Sequence, residues 1–104
     1  MRILTAAIIL ATSASTIAFA AEARLPDADY IQASHCRGLM GDSEAGAKLE
    51  AALKDNTVGR ADFIVSRATR ERGKGQRALR EATKSGDLSS VQRVLASDCA
   101  AFKS

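Results

Sequence analysis

The chain has 104 residues and a formal net charge of +3, and it contains one histidine, two cysteines and no tryptophan. A chain of this length supports one small domain, with a core near the lower limit for independent stability. No H-E-x-x-H, G-x-S-x-G or Walker motif is present, which excludes most catalytic constellations, and we expect no enzymatic activity, no cofactor and no metal site.

The first twenty residues have the pattern of a secretory signal peptide. Arg2 provides a positive start, residues 3–10 are almost entirely apolar, and an Ala-Phe-Ala tripeptide at 18–20 matches a small-x-small cleavage site. We therefore expect residues 1–20 to be removed. Residues 21–104 would then form a single helical domain in the periplasm or outside the cell.

The alternative is an uncleaved membrane anchor. Residues 3–21 are just long enough to span a bilayer as a helix. Threonine and serine dilute the second half of this segment, however, and no basic stop follows it directly. No cysteine lies at the cleavage site, so a bacterial lipid anchor is not expected, and no transmembrane segment would remain after cleavage.

The two cysteines, Cys36 and Cys99, lie near the two ends of the predicted domain. In an oxidising compartment an even pair in a small domain predicts one disulfide. A redox-active thiol pair is the alternative, but no C-x-x-C motif is present. A long-range disulfide joining the first helix to the last is therefore expected.

The first two predicted elements are helices. Pro26 and Asp27 favour a helix start, and the helix presents one face, formed by Ala28, Ile31, His35 and Leu39. His35 on this face is expected to be partly buried, with a pH-dependent role as the alternative. Asp42 or Ser43 can cap a second helix, whose core stripe is formed by Ala45, Leu49, Ala52 and Leu53.

Glycines divide the second half of the chain into three further predicted helices. The third covers about 60–72, and Gly73 and Gly75 are expected to end it, although a bent and continuing helix is the alternative. Its core stripe is formed by Ala61, Ile64, Val65 and Ala68. The fourth covers about 76–85, ends at Gly86, and points three side chains inward, namely Ala78, Leu79 and Ala82. The stripe of the fifth is formed by Leu88, Val91, Leu95 and Phe102.

The segment from Ala78 to Ala96 resembles one helical hairpin of an ankyrin repeat. The T-P-L-H turn of that repeat is absent and no second copy occurs. The resemblance therefore implies local helix-turn-helix geometry and no particular activity. Together the elements predict an all-α fold, a compact bundle of four to five short helices held by one disulfide.

Charge is concentrated in one part of the chain. Residues 60–84 contain eight basic and three acidic residues, whereas residues 21–59 contain four basic and seven acidic ones. Helical spacing places most of the basic side chains, together with Phe63, away from the predicted core stripes. This candidate interaction face consists of Arg60, Phe63, Arg67, Arg70, Lys74, Arg77, Arg80 and Lys84.

An aromatic side chain among arginines is typical of a contact site, and the alternative is a merely solvated surface. We expect an exported inhibitor, adaptor or small chaperone that contacts an envelope protein through this face. A second hypothesis is a binder of anionic lipid or glycan such as lipopolysaccharide; nucleic acid is disfavoured because the compartment normally lacks it. A third hypothesis rests on the overall organisation of the chain. A short exported helical domain with one long-range disulfide resembles the acid-stress periplasmic chaperones.

Overall fold

The computed structural model describes residues 24–102, so the predicted signal peptide lies outside the described residues. Within that range the chain forms four α-helices and no strand: α1 is Asp27–Met40, α2 is Glu44–Thr57, α3 is Asp62–Ser85 and α4 is Ser89–Ser97. A short 3-10 helix, Ala100–Phe102, follows. The predicted all-α fold is confirmed.

Helix α1 is the centre of the bundle. It packs most extensively on α3, then on α2, and it also contacts α4. Because α1 is covered from three directions, its buried side chains surround most of its circumference instead of forming one stripe, and they include Tyr30, Ala33, Cys36, Leu39 and Met40. The predicted single face was wrong at Ala28, which is exposed.

The predicted break between the third and fourth helices was wrong, and the continuing helix is what forms. Residues 62–85 form one helix of 24 residues that passes through Gly73 and Gly75. A glycine ends a helix most readily in the left-handed conformation, which Gly86 adopts with φ 77° at the true end of α3. The two internal glycines have negative φ angles and do not interrupt the helical backbone.

Gly75 has a packing role instead, which it shares with Gly38. A Cβ at position 38 would collide with the backbone carbonyl of Arg72, and a Cβ at position 75 would collide with that of His35. Helices α1 and α3 therefore approach each other closely enough for backbone to meet backbone at their crossing. This close crossing explains why α1 packs most extensively on α3.

The disulfide between Cys36 and Cys99 is present, and both residues are fully buried. Cys36 lies on α1, whereas Cys99 lies just beyond α4, so the bond fixes the C-terminal helices to the centre of the bundle. The predicted disulfide is confirmed, although Cys99 lies just after the last α-helix rather than within it. No helix within residues 24–102 is long and apolar enough to cross a membrane.

Ser43 rather than Asp42 caps α2, since its hydroxyl accepts a hydrogen bond from the amide of Gly46 at 3.0 Å. The core side chain of α4 is Val91, while Leu95 and Phe102 pack partly buried against the same cluster. Three further alanines predicted to face inward are exposed instead: Ala52, Ala61 and Ala78. The prediction that Leu88 belongs to the core stripe of the last helix was also wrong, since Leu88 is 42% exposed. The alanine corrections are small, because alanine contributes little apolar area wherever it lies.

Candidate interaction surface

The continuity of α3 brings the predicted basic positions into a single line. Had the helix ended near Gly73, the two halves of the basic face would have belonged to separate helices. At 100° per residue, Phe63 and five of the basic side chains instead fall within about 100° of the circumference of one helix. We call five of these residues the basic row: Arg67, Arg70, Lys74, Arg77 and Lys84.

All five side chains of the basic row are exposed. Lys74 forms an ion pair with Glu71 at 3.0 Å. The other four make no ion pair or side-chain hydrogen bond with any residue between 24 and 102. Their charges are therefore available to a binding partner without the loss of an ion pair or side-chain hydrogen bond within the described residues.

Phe63 lies at the N-terminal end of the basic row. It is 72% exposed, as is Val58 in the connection before α3. The prediction that Phe63 lies off the core face agrees with this exposure. A large aromatic side chain that contributes almost nothing to the core is a candidate contact residue, because burying it against a partner removes apolar surface from water.

Arg80 lies beside the basic row rather than in it. It is exposed and helps to line an open depression of about 280 Å³ near the C-terminus of α1. Arg37, Gln76 and Leu79 line the same depression. Arg80 therefore flanks the row on the side that faces α1.

Arg60 does not belong to the exposed face, which corrects its predicted place there. Its side chain is only 5% exposed, and it donates hydrogen bonds to the Asp27 carboxylate and to the backbone carbonyl oxygens of Leu25 and Asn56. Its guanidinium also lies 4.2 Å from the ring centroid of Tyr30. Arg60 precedes α3 and holds the start of α1 against the end of α2.

A second group of charges lies between the helices. Glu50 on α2 accepts hydrogen bonds from Arg37 on α1 at 2.9 Å and from Arg72 on α3 at 2.5 Å. The hydrogen bond from Arg72, followed by that from Arg37, lowers the pKa of Glu50 despite partial burial. Local sequence patterns do not reveal this group, because Arg37 and Arg72 lie 13 and 22 residues from Glu50 along the chain and the three residues belong to three helices.

His35 is partly buried, as predicted, with 27% of its side chain exposed. Its Nδ1 lies 3.2 Å from the backbone oxygen of Glu71 and 3.4 Å from the Glu71 carboxylate. The hydrogen bond from Lys74, with smaller contributions from nearby positive charges, lowers the pKa of Glu71. Glu71 therefore links the α1–α3 crossing to one residue of the basic row.

Within residues 24–102, the basic row and Phe63 provide charge and one exposed aromatic side chain. Cys36, the neighbour of the single histidine, is held in the disulfide and has no thiolate to offer. Among residues 24–102, no three potential metal ligands come close enough together to hold an ion. A groove of about 160 Å³ is lined by residues of α1, α2 and α3, among them Tyr30 and Val65 together with Glu50 and Arg72 of the charged group.

Comparisons with known proteins identify no relative: no protein-family model, no curated protein and no solved structure matches this chain.

Proposed function

We propose that this protein is an exported, non-enzymatic binding protein that contacts an acidic partner protein through the basic row of α3. The observation that carries the proposal is the alignment of exposed basic side chains with exposed Phe63 on one helix. Arginine and aromatic side chains dominate the binding energy of many protein interfaces. Opposite charge on the partner would also increase the association rate.

The disulfide supports the location of this activity. Structural disulfides persist in secreted and periplasmic proteins and are rare in the cytosol. The bond between Cys36 and Cys99 is fully buried in a small domain, so it serves as a structural element rather than a reagent. We place the protein in the periplasm or outside the cell, in agreement with the predicted signal peptide.

A second candidate function is binding to anionic lipid or glycan. The basic residues without internal partners favour it, since a polyanion needs positive charge and little shape matching. The apolar side chains Ile64, Ala68 and Ala82 of α3 are buried in the bundle, so the helix has no apolar face to insert into a bilayer. Such binding would depend on charge and would weaken strongly with salt.

The test is a pull-down from cell-envelope extract with the oxidised protein, at low and high salt. The test variant is R67E/R70E/R77E, which reverses three charges of the basic row. The matched control is K48E/K54E/R93E, which reverses three exposed positive charges on α2 and α4. Both variants change the net charge equally, so only the position of the charges differs between them.

We expect the wild type and the control to retain the same discrete protein, and the row variant to lose it. Retention of lipid or glycan at low salt only, with anionic vesicles bound in the same way, would establish the second candidate instead. Equal retention by both variants would refute the basic row as the binding surface.

A further inference from the structure

The spacing of the side chains along the exposed face of α3 is regular. From Phe63 the face continues through residues 67, 70, 74, 77, 81 and 84, so steps of four and three residues alternate without interruption. All seven positions are exposed. Alternating steps of three and four follow one face of any α-helix, and two helices that pack along their length meet along such a line.

The distances along the row favour a helix over an extended chain as the partner. Steps of three and four residues correspond to about 4.5 and 6 Å of rise, and the whole line is about 31 Å long. A second helix repeats the same two distances, and a small crossing angle keeps the two seams in contact. An extended strand spaces the residues of one face by about 6.6 Å and loses register within a few residues.

The charges along the line define what the partner helix must carry. Five of the seven positions are basic, Phe63 occupies one end, and Glu81 is acidic. A matching helix would place carboxylates opposite the basic row, an apolar residue opposite Phe63 and a basic residue opposite Glu81. Because the two exceptions lie near opposite ends of the line, they would determine both the register and the direction of the partner.

A second copy of this chain does not provide such a helix within the described residues. In α1 the acidic residues Asp27 and Asp29 lie in the first turn only. In α2, Glu44 and Asp55 are separated by Lys48 and Lys54, and Glu50 is engaged by Arg37 and Arg72. Helix α4 has no acidic residue, and in α3 basic residues outnumber acidic ones. The described part of a second copy therefore offers no matching helix, which favours a different protein as the partner.

We propose that the exposed line of α3 from Phe63 to Lys84 docks one acidic α-helix of a partner protein, with carboxylates at the same alternating spacing. This inference rests on the proposed function and specifies its partner. The docking mode resembles a coiled-coil seam, except that opposite charges meet where apolar side chains normally pack.

The test uses two synthetic peptides of about 24 residues, the length of α3, with identical composition and net charge. The patterned peptide carries glutamates along one alternating three-and-four line, with leucine at one end and one lysine placed to face Glu81. The scrambled peptide distributes the same residues around all faces, and circular dichroism establishes that both are equally helical. Binding is measured by fluorescence anisotropy at low salt.

We expect the wild-type protein and K48E/K54E/R93E to bind the patterned peptide at least about tenfold more tightly than the scrambled one. R67E/R70E/R77E should lose this preference. Equal binding of the two peptides, or binding of neither, would overturn the inference. The envelope pull-down tests the proposed function separately, because a row-dependent protein can be captured even if its contact segment is not a helix.

A charge exchange at one position tests the register. Replacing the lysine of the patterned peptide by glutamate should weaken binding to the wild type about three- to tenfold, because two carboxylates then meet at Glu81. The variant E81K should restore the affinity for that altered peptide and not for the original one. An E81K protein that binds both peptides equally would contradict the proposed register.

Discussion

Gly38 and Gly75 are the residues on which the α1–α3 crossing depends. An alanine Cβ at either position would collide with the backbone of the opposite helix, which cannot move aside as a side chain can. We expect G38A and G75A each to destabilise the protein by about 2–3 kcal/mol, measured by urea unfolding. Comparable stability of either variant to the wild type would show that the helices do not cross this closely.

Gly73 provides the matched control for that experiment. It lies in the same helix, and a Cβ built at this position meets nothing within 4 Å. G73A should therefore stabilise the protein by about 0.5–1 kcal/mol, because alanine favours a helix interior over glycine. G73A and G75A, two residues apart, should change the unfolding free energy in opposite directions. This difference distinguishes the effect of packing from that of helix propensity.

Arg60 and Arg67 should respond very differently to removal. Arg60→Ala eliminates the hydrogen bonds to Asp27, Leu25 and Asn56, and we expect it to cost about 2–3 kcal/mol of unfolding free energy. Arg67→Ala removes an exposed side chain and should change stability by less than about 0.5 kcal/mol. Thermal unfolding of both variants measures the difference, and equal losses would contradict the assigned roles.

The lowered pKa of Glu50 makes the stability of the bundle depend on pH. Since the folded pKa lies below the ordinary value of 4.5, the carboxylate stabilises the folded state above about that pH, and this contribution disappears as pH falls through the folded pKa. The stability difference between wild type and E50Q should therefore be largest near neutrality and shrink below pH 4.5. Unfolding titrations across this range measure it.

Glu81→Gln is the control for this titration, because Glu81 is exposed and forms no ion pair with residues 24–102. If the stability difference between wild type and E50Q did not change with pH, the Glu50 group would not be the source of the pH dependence. The same measurements bear on the acid-stress hypothesis, since a bundle that opens in acid must lose stability over this range.

Individual residue roles could be predicted only where local spacing decides them. The exposure of Phe63 and of the basic row follows from helical periodicity alone. The burial of Arg60 does not, because its contacts at Leu25 and Asp27 lie 35 and 33 residues away along the chain. A separation of 22 residues likewise concealed the pairing of Glu50 with Arg72.

Among the elements, α3 shows how an internal glycine can mislead a sequence reading. Glycine is common at helix ends, so Gly73 and Gly75 suggest that the helix stops there. Each glycine, however, reduces the stability of a helix interior by only about 1 kcal/mol. Tertiary packing at Gly75 more than offsets that cost by letting α1 approach. The sequence contains no local sign of this contact, because Gly38 belongs to α1 and lies far from Gly75 along the chain.

The continuity of α3 matters for function as well as for fold. In two separate helices, the basic residues before and after Gly75 would point in independent directions. In one helix of 24 residues they form a single line that begins at Phe63. The proposed docking of an acidic helix therefore depends on the continuity of α3 through Gly73 and Gly75.

For the whole molecule, the helical fold and the disulfide were predictable. Apolar periodicity indicates helices, and two cysteines allow only one intramolecular pairing. The central position of α1 was not predictable, because amphipathic stripes indicate which face is buried but not which helix lies between the others. A helix that is buried on most of its circumference does not show one apolar stripe. The single face predicted for α1 therefore included Ala28, which is exposed.

The disulfide should determine whether the small domain folds. The Cys36–Cys99 bond closes a loop with a sequence separation of 63 residues. Loop-closure entropy predicts a stabilisation of about 4 kcal/mol, a large part of the total for a domain of this size. Unfolding of the oxidised and reduced protein measures this difference, and equal stabilities would contradict it.

The central claim is that the basic row is the surface that contacts a partner, and photo-crosslinking in the living cell tests it most directly. A photoreactive residue replaces either Ser66 or Ala78, which are exposed and flank the row without contributing charge. Ala47 and Ala52, exposed on α2, are the matched control positions. We predict a discrete crosslinked protein from positions 66 and 78 and none from 47 and 52, whereas adducts from the α2 positions alone would contradict the claim.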